Sequence, residues 1–336
     1  DVAASLGASC QVIVGGVDHE QQRAALLAGR PAVLVATPGR LLALCGQWPS
    51  SSRSRQEEKA QQAPDPVLRL RRMSHLVLDE ADRLLDEGFE EDIRAITKLA
   101  SRREQTMMFS ATWSARTEEL ASALRPGAVH ISVSGVPASI EQRVELLPKA
   151  ARGKRLREIL GGLGPAAKVL LFVLFKKEAK ELSRMLASEG FRSWALEGGM
   201  SQSARFAAMA AFRHAGPAAR TCAVLVATDV AARGLDVPDV THVVNFSFGL
   251  SPESYVHRIG RCGRAGRRGL AFTFVTEGDE RFASHLLQVL RAARQRVPRA
   301  LEDMAELYEQ SGGTAKLSVQ WDMAGEVRVG IRREKK

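Results

Sequence analysis

The chain has 336 residues, of which 45% are apolar and only 5% aromatic, a composition that suffices for about two domains with aliphatic cores. Its net charge of +10 favours a polyanionic partner, with nucleic acid first and an anionic membrane surface second. The four cysteines, Cys10, Cys45, Cys222 and Cys262, lack any CxxC or Cys/His ligand spacing, which argues against a zinc site or a disulfide framework and favours a reducing compartment.

In the first half of the chain, short apolar runs alternate with amphipathic segments. We predict strands at 11–14, 32–37, 75–80, 106–112 and 129–133, with helices between them. Strands that are apolar on both faces and separated by helices indicate a parallel sheet covered on both sides. Residues 47–66 interrupt this pattern, since they are polar, rich in Ser and Gln, and typical of a disordered surface insertion.

The alternation returns in the second half, with strands predicted at 168–173, 223–229, 242–246 and 271–275. The longest apolar run, residues 169–175, is too short to span a bilayer, and no signal peptide is visible. The fold class is therefore α/β, with two parallel-sheet domains and a cleft between them. We predict domain 1 at 1–135, a linker at 136–152, domain 2 at 153–295 and a C-terminal extension at 296–336 that ends in a solvated basic tail.

Acidic residues follow the apolar run of residues 76–78 directly. Ligands of an open parallel sheet bind at the carboxyl ends of its strands, where Asp79 and Glu80 are expected. One carboxylate that holds Mg²⁺ and a second that orients or deprotonates water are what nucleotide hydrolysis requires. The alternative is that these acids only favour the N-terminus of the helix that follows.

Two other junctions combine a strand with a helix start. Residues 110–112 read Ser-Ala-Thr, and residues 37–40 read Thr-Pro-Gly-Arg. Each is by itself an ordinary helix start, with a hydroxyl N-cap or a proline in the first turn. The second junction also leaves backbone N–H groups and Arg40 available to a phosphate.

The segment at residues 255–269 is rich in both arginine and glycine. A regular helix does not tolerate so many glycines, whereas arginines on a glycine-rich turn can reach phosphate oxygens across a cleft. A solvated basic loop is the alternative. Just upstream, residues 227–240 place Asp229 and Asp236 after a predicted strand.

In this order and spacing, these segments resemble the DEAD-box family of ATP-dependent RNA helicases. The resemblance covers residues 1 to about 305 and implies two RecA-like domains, the first incomplete at its N-terminus, with ATP and Mg²⁺ as cofactors. It also implies an intracellular monomer, nuclear, nucleolar or cytoplasmic, that binds RNA and RNP proteins but no membrane. The matching motifs are Gly15-Gly16, Thr37–Arg40, Asp79–Asp82 (Asp-Glu-Ala-Asp), Ser110–Thr112, the run Ala-Thr-Asp-Val-Ala-Ala-Arg-Gly-Leu-Asp-Val and the run His-Arg-Ile-Gly-Arg-Cys-Gly-Arg.

The resemblance implies a catalytic role for four residues. Asp79 would hold Mg²⁺, and Glu80 would orient or deprotonate the attacking water. Arg261 and Arg264 are similar to the arginine fingers that meet the γ-phosphate, a contribution of roughly 10³ to 10⁵ in rate.

Further residues are implied around the nucleotide. Asp82, Asp236 and His257 belong to the cofactor site, with Asp236 as the ribose contact. Ser110 and Thr112 would couple the nucleotide state to domain closure.

RNA would lie over both domains and be held by its phosphates and sugars, so its binding would be largely independent of sequence and sensitive to salt. The residues implied are Gly15, Gly16, Thr37, Gly39 and Arg40 in domain 1, and Gln202, Arg205 and Thr228 in domain 2.

The chain departs from the family pattern in two ways. The Gly-Lys-Thr phosphate loop, the upstream adenine-reading Gln motif and the Pro-Thr-Arg-Glu-Leu-Ala segment are absent, and the first residue is Asp1, which favours a fragment over a degenerate clamp. Leu174-Phe175 stands where the family usually has polar residues. Glu197-Gly198 stands where the family commonly has His or another residue followed by Asp, and Cys262 stands where Thr is common.

Without that upstream segment, residues 1–135 are expected to leave strand edges and apolar surface open and to fold less well than the second half. The function implied is local duplex unwinding or RNP remodelling driven by ATP hydrolysis, although this chain alone would lack complete ATP binding. The alternatives are a non-hydrolysing RNA-binding scaffold on the same fold and, less favoured, a DNA-directed helicase.

Overall fold

A computed structural model divides the chain into two compact units, residues 1–131 and 132–336. Both units combine parallel strands with helices, which confirms the predicted α/β class. None of the helices in the described ranges is long and apolar enough to cross a membrane. The structure describes residues 7–47, 66–131, 136–217, 220–232, 237, 239–264, 266–322 and 326–332.

The strands of unit 1 form two parallel pairs, β1 with β2 and β3 with β4. Register partners at their carboxyl ends are Ile13 with Ala36, and Leu78 with Met108. Within the part of the chain that the structure describes, the two pairs are separate two-stranded sheets. The strands are β1 (Cys10–Ile13), β2 (Val33–Ala36), β3 (His75–Leu78) and β4 (Gln105–Met108).

The helices of unit 1 bury one apolar side each against these strands. Asp18 caps α1 by accepting from the Gln21 N–H, and Ser114 caps α5 by accepting from the Thr117 N–H. Their inward-facing Leu and Ile side chains belong to one buried cluster that also contains Ile13 of β1. The helices are α1 (His19–Ala28), α2 (Pro38–Leu44), α3 (Ala81–Asp86), α4 (Glu90–Leu99) and α5 (Ala115–Leu124), with a 3₁₀ turn at Leu70–Arg72.

Three sequence predictions for unit 1 can be compared with the structure or fall outside the described residues. Residues 129–131 form no strand, and the remainder of the strand predicted at 129–133 lies outside the described residues. The predicted open apolar surface is present, since four strand valines are exposed by 43–59% of their surface: Val12, Val33, Val35 and Val77. The insertion expected at 47–66 falls almost wholly outside the described residues.

Unit 2 is built on a six-stranded sheet in the order β5-β10-β9-β6-β8-β7, with every pair parallel. The central strands β6 and β8 are buried along their whole length, which explains their uninterrupted apolar runs. The strands are β5 (Ile140–Leu146), β6 (Lys168–Val173), β7 (Arg192–Leu196), β8 (Ala223–Thr228), β9 (His242–Asn245) and β10 (Gly269–Val275).

Helices cover both faces of this sheet and create two cores. Leu156 and Leu182 belong to the core on one face, whereas Phe212, Tyr255 and Leu286 belong to the core on the other. The helices are α6 (Arg152–Gly161), α7 (Lys176–Ser188), α8 (Gln202–Arg213), α9 (Asp229–Ala232), α10 (Pro252–Ile259), α11 (Ala283–Ala292) and α12 (Arg299–Gln310).

The C-terminal extension packs on unit 2 as an integral part of it. An antiparallel hairpin, β11 (Leu317–Trp321) with β12 (Val327–Ile331), buries Leu317 and Val319 in the same core as Met304 of α12. The Leu317 N–H also donates to the Glu280 carboxylate at 2.8 Å. This hairpin and β7 were not predicted from the sequence, and β5 lies in the segment predicted as a linker at 136–152.

Candidate functional site

Asp79 and Glu80 lie where β3 ends, at the carboxyl edge of the β3–β4 pair. Glu80 adopts the left-handed conformation (φ 49°, ψ 51°), which is rare for a residue other than glycine and is typical of functional sites. Its N–H donates to Asp79 Oδ1 at 3.0 Å, which fixes the turn. Asp79 is exposed and Glu80 half-buried, so both carboxylates lie at the edge of the sheet.

Asp82 joins this edge to the end of β4 through a cluster of hydrogen bonds. Its Oδ2 accepts from the Thr112 N–H at 2.9 Å and from the Thr112 hydroxyl at 2.7 Å, and its own N–H donates to Ser110 Oγ at 3.2 Å. The Ser110 hydroxyl donates to the Thr112 carbonyl at 2.7 Å. Because Asp82 is only 6% exposed, these bonds tie the two strand ends into one unit. Asp82, predicted as part of the cofactor site, thus contacts Ser110 and Thr112, which were predicted to couple the nucleotide state to domain closure.

The donor set at this edge is compatible with magnesium. Mg²⁺ usually keeps several waters and is held by one or two carboxylates together with substrate phosphates, rather than by a cage of protein ligands. Asp79 supplies one exposed carboxylate for that purpose. Across the described ranges, no group of three or more His, Cys, Asp or Glu residues is placed to hold a metal by itself.

The carboxyl ends of β1 and β2 bring together residues predicted to bind RNA. The Gly15 N–H donates to the Thr37 hydroxyl at 3.3 Å, so the ends of β1 and β2 meet. Gly16 has a φ of +79°, and a side chain on either glycine would meet open space. The first residues of α2 follow, with no side-chain cap. Gly39 lies in this turn.

Arg40, also in the first turn of α2, has a buried guanidinium nitrogen. Its Nη1 has no hydrogen-bond partner among the described residues. A buried donor without an acceptor costs about 1–3 kcal/mol, so a ligand with an acceptor oxygen would recover that energy. This orphaned donor marks the turn as a candidate phosphate contact.

In unit 2, the carboxyl ends of β7 and β8 bring together the predicted RNA contacts. Thr228 ends β8, is 5% exposed, and its hydroxyl has no hydrogen-bond partner in the described part of the chain. Gln202 and Arg205 lie in the first turn of α8, which follows β7. Arg205 Nη2 donates to the Ala231 carbonyl at 3.2 Å, which ties α8 to the segment after β8.

A buried ion pair positions the arginine-rich segment. Arg258 is 1% exposed, and its Nε and Nη2 donate to the two carboxylate oxygens of Asp229 at 2.7 and 2.6 Å. Its Nη1 donates to the Ser247 carbonyl at 2.7 Å. This bidentate pair connects α10 with the end of β8 and fixes where the following turn begins.

Arg261 and Arg264 lie on the turn that follows α10. Gly263 has a φ of +68°, and a Cβ there would lie 2.6 Å from an Ile140 side-chain carbon, so only glycine fits. Arg261 is half-buried. Arg264 is exposed, and its Nε donates a hydrogen bond to the Gly260 carbonyl at 2.9 Å.

Two other residues of this region were predicted as part of the cofactor site. His257 is 8% exposed and lies on α10 next to the buried Arg258. Asp236 lies outside the described residues. Cys262, which replaces a common threonine, is a buried thiol that donates to the Ile259 carbonyl, and burial raises its pKa to about 11.

Comparison with known proteins decides the family. The DEAD/DEAH box helicase model matches residues 1–120, and the helicase conserved C-terminal domain model matches residues 151–266. The chain is 44% identical over 299 residues to the ATP-dependent RNA helicase dbp3 of Emericella nidulans, which covers 86% of this chain and 56% of that protein. The chain belongs to the DEAD-box helicase family.

A second relative and a solved structure are also similar to this chain. DBP3 of Meyerozyma guilliermondii is 39% identical over 317 residues, or 93% of this chain and 54% of that protein, so the chain spans about half the length of these relatives. The structure of S. cerevisiae Dbp5 bound to RNA and ADP BeF3 matches with a TM-score of 0.66 and 26% identity, over 91% of this chain and 74% of that chain. This likeness confirms the predicted pair of RecA-like domains.

Sequence reasoning missed two residues of this DEAD-box chain that support its candidate site. Arg258 was not distinguished from the neighbouring arginines, and only its place between the buried Tyr255 and Ile259 on α10 signals burial. Glu197, noted only as a departure, is 1% exposed and accepts from the Gly199 N–H at 2.5 Å. That bond closes the turn just before α8, and it is the main cause that lowers the pKa of Glu197.

Proposed function

We propose that this chain belongs to an ATP-dependent RNA helicase that grips the RNA backbone and couples ATP hydrolysis to local duplex unwinding or RNP remodelling. One observation carries the proposal. At the carboxyl edge of β3 and β4, an exposed Asp79 and a left-handed Glu80 stand beside the hydrogen-bonded cluster of Asp82, Ser110 and Thr112.

The acids at this edge divide the chemistry among them. Both oxygens of Asp82 accept hydrogen bonds, from Thr112 and from the Arg83 N–H at 2.9 Å, so Asp82 is suited to positioning rather than to proton transfer. Asp79 would hold Mg²⁺, which, when bound, neutralises charge that develops on the phosphates. Glu80 would orient the attacking water or accept its proton.

Arg261 and Arg264 would act on the transferred phosphoryl group. An arginine that stabilises charge developing in the transition state contributes roughly 10³ to 10⁵ in rate. The proposal is supported by the buried pair of Arg258 with Asp229, which anchors the helix just before these arginines, and by Gly263, which sets the turn that carries them. His257 and Asp236 would complete the nucleotide contacts of this domain.

RNA would be held by backbone N–H groups and short polar side chains that contact phosphates and sugars. In domain 1 these are Gly15, Gly16, Thr37, Gly39 and Arg40, and in domain 2 they are Gln202, Arg205 and Thr228. The orphaned donor of Arg40 and the orphaned hydroxyl of Thr228 support this assignment, because each lacks a partner that an RNA oxygen would supply. The same proposal places the protein inside the cell, where its four free cysteines stay reduced.

A variant of Glu80 tests the proposal. Glu80→Gln keeps the size of the side chain and one acceptor oxygen but removes the base, so RNA-stimulated ATP hydrolysis by the full-length protein should fall by roughly 10²- to 10⁴-fold. RNA binding, followed by fluorescence anisotropy, should be unchanged.

Glu91→Gln on α4 is the matched control, since Glu91 is exposed and removed from the β3 edge, and it should hydrolyse ATP at the normal rate. Normal turnover in Glu80→Gln would contradict the role of Glu80. RNA binding without any RNA-stimulated hydrolysis in the unaltered full-length protein would favour the scaffold alternative.

A further inference from the structure

Phe175 is a large apolar side chain in an unusual place. It is 66% exposed and lies two residues beyond the end of β6, at the N-cap of α7. N-cap positions favour Ser, Thr, Asp or Asn, because these side chains accept hydrogen bonds from the first turn, and Phe175 makes no such bond. Burial does not explain the phenylalanine and helix capping does not either.

The two residues after Phe175 also do not match the helix dipole. Lys176 and Lys177 occupy the first turn of α7, where the helix dipole favours carboxylates. Lys176 is exposed, and Lys177 is 86% exposed and only 3.8 Å from the Glu181 carboxylate. Local rules broken together, without a gain in packing, are typical of functional sites.

The carboxylates near this turn are engaged within the protein. Glu178 accepts from the Leu174 N–H at 3.2 Å and from the Ser247 hydroxyl. Glu197 is buried, and its carboxylate lies 3.1 Å from Lys180 of α7. The outer face of the turn therefore presents an aromatic ring and two lysines.

The neighbouring strand adds a polar group to the same edge of the sheet. Thr228 is the register partner of Val173, the last residue of β6, and its buried hydroxyl has no hydrogen-bond partner among the described residues. Phe175 thus follows directly on the strand that flanks Thr228. Lys180 and Glu197 link α7 to the turn that begins α8, where Gln202 lies.

We propose that Phe175, with Lys176 and Lys177, forms a stacking site for one unpaired nucleobase of an RNA strand and its adjoining phosphate. Every base has a π-face, so such a ring binds bases with little dependence on sequence, while the lysines attract the phosphate. This inference rests on the proposed function and adds to it a contact with a base, where the other candidate residues contact the backbone.

Abasic RNA separates stacking from backbone contacts. Binding of the full chain to fluorescein-labelled single-stranded oligoadenylate and to an abasic strand of equal length is measured by anisotropy. Phe175→Ala should weaken binding of oligoadenylate by roughly 5- to 150-fold, the range for one base stacked on one aromatic ring. Its affinity for the abasic strand should equal that of the unaltered chain.

Three variants control the experiment. Phe175→Trp should retain oligoadenylate binding, and Phe175→Leu should lose it, because leucine preserves apolar volume but has no π-face. Trp321→Ala removes another exposed aromatic side chain of unit 2, 50% exposed on the hairpin, and should bind both strands normally.

Two results would overturn the stacking site. One is equal affinity of Phe175→Ala and the unaltered chain for oligoadenylate. The other is an equal loss on both strands, which would show that Phe175 acts only on structure. If the unaltered chain bound neither strand, the proposed function itself would fail, and the stacking site with it.

Discussion

Removing the Asp82 carboxylate should destabilise unit 1, and the number of hydrogen bonds that the carboxylate accepts determines by how much. Asp82 is 6% exposed, and among the described residues Thr112 donates two hydrogen bonds to it and the Arg83 N–H donates one. At about 1 kcal/mol of net stability for each bond, Asp82→Ala should lower the free energy of unfolding of unit 1 by about 3 kcal/mol. Asp82→Asn keeps one acceptor oxygen and should cost about 1 kcal/mol.

The assay is urea-dependent hydrogen exchange, followed by mass spectrometry on peptides from residues 76–112, because it reports the stability of unit 1 separately. Asp86→Ala is the matched control, since Asp86 is exposed on the same helix and its loss should change stability by less than about 0.5 kcal/mol. A value for Asp82→Ala as small as that of Asp86→Ala would refute the reasoning that the cluster ties β3 to β4.

Three further predictions concern unit 2. Arg258→Met leaves the Asp229 carboxylate without its bidentate partner and should lower the free energy of unfolding by about 3 kcal/mol, measured by thermal denaturation. The double variant Arg258→Met with Asp229→Leu should recover part of that loss, and a double variant no more stable than Arg258→Met would contradict this prediction. The pKa of Glu197 is lowered in the folded protein, so the ionised carboxylate stabilises the fold fully above about pH 4.3, and this contribution is lost as the pH falls through the lowered pKa. In urea titrations at a series of pH values, Glu197→Gln should lack this acid-dependent loss of stability. An identical pH dependence in the variant and the unaltered protein would count against the role of Glu197. In the full-length protein, Arg264→Ala should reduce RNA-stimulated ATP hydrolysis by roughly 10³-fold, while Arg267→Ala, a change at an exposed arginine of the same turn, should not. Normal turnover of Arg264→Ala would disprove the finger assignment.

The strands of the central sheet could be predicted from sequence because burial on both faces leaves an unbroken apolar run. β6 and β8 are such strands. β5 was missed because it lies at the edge of the sheet and exposes alternate residues, so Glu141 and Arg143 gave it the composition of a linker. The hairpin of β11 and β12 was missed because only two of its ten strand residues, Leu317 and Val319, are buried.

Some residues of the candidate site could be predicted from the sequence in the same way, and others could not. Asp79 and Ser110 could be placed at one edge because each follows a strand, and carboxyl ends of adjacent parallel strands meet. The pair of Arg258 with Asp229 could not be predicted, since it joins residues 29 apart along the chain through a tertiary contact. The exposure of Phe175 also required the structure, because an apolar residue after a strand is more often buried.

RNA-stimulated ATPase activity is the measurement that tests the central claim most directly. Steady-state ATP hydrolysis by the full-length protein is compared with no nucleic acid, with single-stranded RNA and with DNA of the same sequence. We predict that RNA raises the rate and that DNA does not, because the proposed contacts include the sugars, and the sugars of DNA lack the 2′-hydroxyl. A hydrolysis rate that RNA leaves unchanged, or that DNA raises equally, would contradict the account.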